Sequence, residues 1–228
     1  MGETSSDILK LASDFMQSRV LLTAAELDLF TLLGDVPLSA GDAAARTGAD
    51  IRALGFLLDA LAAMGFLVKE RETYRTVPAV LPLLSSSHPG SVRPMVLHAA
   101  HLWGRWSRLT DIVAGGKSLP EEPERRKKET EAFIGAMHVV AGSMAAEIAK
   151  DVAPGLSKAL LDVGGASGTY TIAFLQAVPE MKATLFDRPG VVEMARKRIA
   201  EAGLLDRVTL VAGDFSRRLD ASQMSGFF

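Results

Sequence analysis

Nine residues, Leu160-Leu161-Asp162-Val163-Gly164-Gly165-Ala166-Ser167-Gly168, constrain this chain more than any other stretch, because of what stands at fixed distances beyond them. Apolar residues Ala159 to Leu161 and Val163 predict a buried strand, and the glycines predict a turn too tight for side chains. A helical pattern then opens at Thr169. A strand that runs through a glycine turn into a helix N-terminus leaves backbone N–H groups open to a ligand. Nineteen residues after Gly168 stands Asp187, at the end of a second apolar strand, Ala183-Thr184-Leu185-Phe186. An acid there is placed to accept hydrogen bonds from ribose hydroxyls. A third strand, Val208-Thr209-Leu210-Val211, ends in Gly213-Asp214-Phe215, which offers a carboxylate and an aromatic face together. Three strand ends lining one crevice predict a nucleoside site.

Glycine spacing bears on which nucleoside. The dinucleotide fingerprint G-x-G-x-x-G needs a glycine two positions after the first, and Ala166 holds that place after Gly164. The arrangement present, Asp162-x-Gly164-x-Ala166-x-Gly168, resembles the D/E-x-G-x-G-x-G loop of class I methyltransferases, which bind S-adenosylmethionine. That cofactor has no pyrophosphate, so no phosphate cradle is required. Ala166 departs from the glycine usual in that family and adds a methyl toward the cofactor, crowding it without necessarily excluding it.

Composition narrows the remaining classes. At 228 residues the chain exceeds one typical domain and buries a sizeable core. A net charge of −2 gives no general attraction to nucleic acid or anionic membrane. With no cysteine there is no disulfide, thiolate metal site or cysteine nucleophile. No run of 18 apolar residues predicts a transmembrane helix, and the N-terminus lacks a basic-then-apolar signal pattern. Met1-Gly2 followed by Ser6 formally fits a myristoylation pattern, a match too short to carry weight. The compartment expected is the cytoplasm.

Helices followed by a hairpin make up the N-terminal part. Ile8, Leu9, Leu11, Phe15 and Met16 predict one amphipathic helix, and Ala24 to Leu33 a second, stopped by Gly34. Ser39 caps a short helix through Arg46, and Asp50 caps another from Ile51 to Met64. Two strands, Phe66 to Val68 and Tyr74 to Val77, flank the polar turn Glu70 to Thr73. Helix, turn, helix and β-wing describe a winged helix. Residues 1–77 nevertheless hold 7 Lys/Arg against 11 Asp/Glu. Phosphate contacts by Lys and Arg dominate non-specific affinity, so this surface repels a DNA backbone.

Residues 78–90 are rich in proline and serine and predict a connector. Val92 to Val113 predicts one long helix bearing His98, His101, Trp103 and Trp106. His98 and His101, three apart with no carboxylate in the same stretch, fit packing better than a metal site. A loop spans Lys117 to Pro123, and Arg125 to Lys128 reads as a solvated helix start. Phe133, Met137, Val140 and Met144 continue at helical spacing to Ile148. The expected domains are a winged-helix dimerisation domain over 1–90, a helical connector over 91–153, and a partial cofactor-binding α/β domain over 154–228.

From about Ile8 to Phe215 the arrangement resembles the small-molecule O-methyltransferases of the caffeic-acid type and their bacterial natural-product relatives. The N-terminal match lies in Ala25-Glu26-Leu27-Asp28-Leu29-Phe30, Leu57 to Phe66 and Tyr74-Arg75. The C-terminal match lies in Leu161 to Gly168, Phe186-Asp187-Arg188-Pro189 with Val191-Val192, Asp206-Arg207-Val208 and Gly213-Asp214-Phe215. Arg188 departs from the leucine common after that acid. The resemblance implies a mainly α winged-helix domain used for homodimerisation, joined to a Rossmann-like α/β domain that binds S-adenosylmethionine and methylates a hydroxyl of a small, aromatic molecule.

It also implies residue roles. Gly164, Gly165 and Gly168 would hold the amino-acid end of the cofactor, with Asp162 shaping the turn. Asp187 would hold the ribose, Asp214 the adenine amino group and Phe215 the adenine face. Trp103, Trp106, Phe133 and Met137 would line an acceptor pocket, although core packing explains aromatic and Met residues at helical spacing equally well. The family's general-base histidine follows the next strand of the sheet. None of His88, His98, His101 and His138 lies after Asp214, so no catalytic residue is assigned, and the expected histidine falls beyond Phe228. The chain is accordingly expected to lack an enzyme-like rate of methylation, a positioned base being worth roughly 10²–10⁴-fold, and its first strand to be left as a bare sheet edge. Two other readings follow from the same residues: a truncated, non-catalytic relative that dimerises and at most binds the cofactor, and a winged-helix DNA-binding regulator, against which the acidic first domain speaks.

Overall fold

A computed structural model describes residues 4–116, 123–142, 144–152 and 158–214. It divides into two compact units, Met1–Ala132 and Phe133–Phe228.

The first unit opens with α1 (Ser5–Ser13) and α2 (Phe15–Glu26). Thr4 and Asp7 form a reciprocal capping box at the start of α1, satisfying donors that the first turn leaves open. The expected helix from Ala24 to Leu33 is broken: α3 covers only Leu29–Leu33, and Asp28 sits between at φ 52°. Tertiary hydrogen bonds account for the break. Asp28 accepts from the hydroxyls of Thr31 (2.7 Å) and Ser86 (2.6 Å) and pairs with Arg93 (3.1 Å). Those partners lie partly in the expected connector, which is packed rather than slack. It contains α6 (Leu81–Leu84), and Leu84, Ser85 and Ser91 are buried.

Between them lies the wing. Strand β1 (Leu38–Ser39), missed in the sequence, leads into α4 (Ala40–Thr47), where Ser39 and Asp42 make a second capping box. The Ser39 hydroxyl and backbone hold the Asp42 carboxyl below the usual range. Helix α5 (Ile51–Ala63) follows, capped by Asp50. Strands β2 (Leu67–Glu70) and β3 (Thr73–Thr76) form the hairpin, and β1 pairs antiparallel with β3 to complete the order β1-β3-β2. Leu29, Phe30, Leu33, Leu54, Leu58 and Leu61 form the core beneath. Asp59 of α5 accepts from Lys69 of β2 and from the Tyr74 hydroxyl of β3 (2.7 Å), clamping the wing to the helix.

The single helix expected over 92–113 is two, α7 (Arg93–Trp106) and α8 (Leu109–Gly115). At the break the Ser107 hydroxyl donates to the Gly104 carbonyl, and Arg108 turns to pair with Asp111. Helix α9 (Pro123–Gly142) crosses the division between the units, with Arg126, Lys127 and Lys128 exposed as expected. The pattern run to Ile148 is interrupted after Gly142, and α10 (Ala145–Asp151) is separate. The loop residues 117–122 and the Pro154-Gly155 pair lie outside the described residues. Among the described residues no single helix is long and apolar enough to cross a membrane.

In the second unit, strands β4 (Ala159–Val163), β5 (Lys182–Asp187) and β6 (Val208–Ala212) form a parallel sheet in that order. Helices α11 (Thr169–Ala177) and α12 (Pro189–Glu201) cross between them. The face formed by Leu160, Ala183 and Leu185 packs on Leu175, Val192, Ala195 and Ile199. Strand β4 is not the buried one expected: alternation puts Leu161 and Val163 on the other face, where they are 51% and 58% exposed. Among the described residues β4 is an edge strand.

A 3-10 turn, Leu205–Arg207, precedes β6. The Arg207 guanidinium donates to the carbonyls of Leu175 (3.0 Å), Val178 (2.7 Å) and Met181 (2.8 Å), closing the C-terminal end of α11 and the approach to β5. Such charge-assisted bonds to half-buried carbonyls contribute more than neutral ones. Arg207→Ala is expected to lower unfolding free energy by about 2–3 kcal/mol in urea titration. Arg207→Lys should restore less than half, since an ammonium cannot span the three carbonyls as a planar fork does. Unaltered stability in the alanine variant would contradict the assignment.

Candidate functional site

Register alone brings the strand ends together. Val163 pairs with Phe186, Phe186 with Val211, and Asp187 with Ala212, so the three loops after β4, β5 and β6 emerge side by side. Asp187 links all three. Its carboxylate is nearly buried and accepts from the Ala166 N–H (2.9 Å) and the Arg188 N–H (2.7 Å). Its own carbonyl accepts from the Gly213 N–H (2.9 Å).

The loop between β4 and α11 is shaped by close approach. A Cβ on Gly165 would stand 2.6 Å from Leu185 and 3.0 Å from the Asp162 carboxyl carbon, so no larger residue fits without movement. Its neighbours Gly164 and Gly168 both have φ of 75°, a region that glycine enters without steric penalty. Among the described residues nothing lies within 4 Å of the place where a Gly164 Cβ would be, and they leave that side of the loop open. Gly213 is constrained in the same way as Gly165, because a Cβ there would overlap the Phe186 ring. Ala166, the departure from glycine, is held at φ 49°.

Asp162 is half-buried, and its Oδ2 accepts from the Thr171 hydroxyl (2.6 Å) in the first turn of α11. Gly168 is the N-cap of that helix and provides no side chain to satisfy its open donors. Around that end lie three further polar groups that sequence reading did not assign: Ser167, Thr169 and His138. Ser167 and Thr169 share a 2.7 Å hydroxyl contact, and His138 Nδ1 lies 2.7 Å from Thr169 Oγ1. Burial, with the Arg198 guanidinium, pushes the His138 imidazole below its ordinary range and so favours the neutral ring. No local pattern signals this group, since His138 and Thr169 are 31 residues apart.

The other expected residues are distributed as follows. Asp214 is half-buried just past β6, while Phe215 lies outside the described residues. Trp103 belongs to the first unit and packs there, its ring 6.0 Å from Phe15 and 5.9 Å from the Arg19 guanidinium. Trp106 is exposed and lines a cavity of about 190 Å³ with Arg105, Leu109 and Ile112. Phe133 is exposed and Met137 half-buried, both in the second unit. Among the described residues no three His, Asp or Glu side chains are grouped as metal ligands.

The residues present fit an adenosyl cofactor on two counts. A carboxylate has about four lone-pair sites, and among the described residues two main-chain donors reach the Asp187 carboxylate, leaving acceptor capacity for a ribose diol. The open side at Gly164 and the uncapped first turn of α11 leave room and donors for a carboxylate-bearing end.

Two family profiles match this chain. The profile of the O-methyltransferase domain matches residues 111–223, and that of the O-methyltransferase dimerisation domain matches 9–80. The tetracenomycin polyketide synthesis 8-O-methyl transferase of Streptomyces glaucescens is 34% identical over 92% of this chain, which spans 64% of that relative's length. The structure of the mitomycin 7-O-methyltransferase superposes with a TM-score of 0.76 at 30% identity, over 95% of this chain and 67% of that one. Human N-acetylserotonin methyltransferase in complex with SAM superposes with a TM-score of 0.74 at 25% identity, over 96% and 69% of the two chains.

Ala166 offers a direct test of the loop. A left-handed alanine costs roughly 1 kcal/mol that glycine avoids, while the N–H bond to Asp187 survives the change. Ala166→Gly is therefore expected to raise the thermal midpoint. A fall would mean that the methyl contributes packing worth more than the strain.

Proposed function

Since this chain belongs to the O-methyltransferase family, we propose that it binds S-adenosylmethionine and serves methyl transfer to a hydroxyl of a small aromatic compound. The observation that carries this reading is Asp187, fixed by two main-chain donors at the meeting of three strand ends and retaining acceptor capacity. When bound, S-adenosylmethionine supplies a sulfonium methyl for in-line displacement, a reaction that positioning accelerates strongly. Asp187 holds the ribose hydroxyls. The open side of Gly164 and the first turn of α11 take the amino-acid end, with Gly165 letting the loop lie close on Leu185. Asp162 keeps the turn in place through Thr171. Asp214 and Phe215 serve the adenine amino group and ring. Phe133 and Met137 contribute acceptor contacts, whereas Trp103 and Trp106 belong to the first unit, where Trp103 is already engaged with Phe15 and Arg19. An aromatic acceptor is supported by relatives named as a phenazine O-methyltransferase and a 3-hydroxy-5-methyl-1-naphthoate 3-O-methyltransferase.

The first unit serves homodimerisation. Its match to the dimerisation domain supports this, as do Ile8, Leu9 and Leu11, each about two-thirds exposed on α1. An acidic winged helix is a poor DNA reader, and a protein partner fits it better.

Two measurements check these statements. Calorimetry should detect S-adenosylhomocysteine binding and no tight binding of NAD. Asp187→Ala should weaken the former by about 10- to 150-fold, the equivalent of roughly 1.5–3 kcal/mol for bonds to a charged acceptor. Tight NAD binding, or indifference to the substitution, would defeat the cofactor reading. Light scattering at micromolar concentration should find a dimer that Leu9→Glu with Leu11→Glu dissociates, and a monomeric parent would refute the assembly.

A further inference from the structure

We propose that His138 is a positioning residue for the cofactor loop, acting through Thr169 to hold the Gly168 turn in its binding shape; this rests on the cofactor reading above. Two supports of the loop are carboxylates from the sheet: Asp187 holds Ala166, and Asp162 holds Thr171. His138 is the third, and it comes from a different element, α9.

Thr169 is the first residue of α11, where a hydroxyl has no preceding helical carbonyl to bond. Its single oxygen is shared between His138 Nδ1 and Ser167 Oγ, both at 2.7 Å. Ser167 is buried, and Ala136 and Ile134 on the same helix as His138 are buried too, so neither end of the relay is free to drift. The imidazole also sets the direction of the hydroxyl hydrogens. If Nδ1 accepts, Thr169 donates to it and receives the Ser167 hydrogen. If Nδ1 donates, the Thr169 hydrogen turns to Ser167, and the Ser167 hydroxyl is released to donate to an anionic group. His138 thus governs both the shape of the turn and which hydroxyl faces the amino-acid end of the cofactor.

The test compares the 228-residue chain with its His138→Ala, His138→Asn and Thr169→Val variants and the Ala/Val double variant. The probe is S-adenosylhomocysteine, measured by calorimetry, beside thermal midpoints. Loss of one hydrogen bond should weaken binding about tenfold in His138→Ala, and Thr169→Val, which also loses the Ser167 contact, should weaken it at least as much. The double variant should lose no more than Thr169→Val alone, because His138 acts through Thr169. Asn places a polar atom where Nδ1 stands and should restore affinity, with midpoints within about 2 °C of the parent throughout. Unchanged affinity in His138→Ala, additive losses in the double variant, or a loss that tracks the midpoint and that Asn does not rescue would overturn the proposal. A parent that binds no S-adenosylhomocysteine would instead overturn the cofactor reading. Hydrogen exchange at the amides of residues 166–171 then decides the positioning role without ligand: faster exchange in His138→Ala, reversed in His138→Asn, supports it, and no change overturns it.

Discussion

Asp187 sits where three chain segments must meet, and it holds each by a different atom. One carboxylate oxygen takes the Ala166 N–H, the other takes the Arg188 N–H, and the carbonyl takes the Gly213 N–H. Bonds to an ionised acceptor are roughly twice as strong as neutral ones, and here they replace water around a nearly buried charge. The loop conformation follows from them. For Ala166 to present its N–H to Asp187 the chain must turn sharply after β4, which places Gly164, Ala166 and Gly168 in the left-handed region. Gly165 is then pressed against Leu185 and Gly213 against Phe186, both neighbours on β5.

The same strand orders the hydrophobic side. Leu185 contacts the loop at Gly165 and packs with Ile199, which in turn stands 3.1 Å from the position of a Gly168 Cβ. Helix α12 therefore buttresses the glycine turn from below while Asp187 restrains it from the strand end. Arg207 closes the far end of α11. The helix is thus anchored at its C-terminal end, while its N-terminal end has no side-chain cap.

The first unit solves a different problem. Its core is apolar and continuous beneath the wing, and polar networks around Asp28 and Asp59 join segments distant in sequence. What it leaves outside is equally informative. Ile8, Leu9 and Leu11 face solvent on α1 while the unit's charge is negative, a combination suited to apolar association and unsuited to phosphate.

Much of this was legible in the residues themselves. The strands at 159–163, 183–187 and 208–211, the turn at Gly164 to Gly168, the caps at Ser39 and Asp50 and the wing hairpin are local patterns, in which a residue's neighbours along the chain dictate its conformation. Asp162, Asp187 and Asp214 were visible for the same reason, each standing at or beside a strand whose end the sequence marks. Breaks at Asp28 and Ser107 were not visible, and neither were strand β1, the packing of the connector, the capture of Trp103 by Phe15 or the bond between His138 and Thr169. Asp28 turns because Thr31, Ser86 and Arg93 converge on it, and His138 acquires its role because α9 passes the start of α11. Sequence by itself determined which segments are strand, turn and helix around the nucleoside site, since periodicity and glycine placement act over a few residues. Tertiary structure alone decided which polar groups meet, because a hydrogen bond across tens of residues depends on three-dimensional proximity and leaves no periodic trace in the chain.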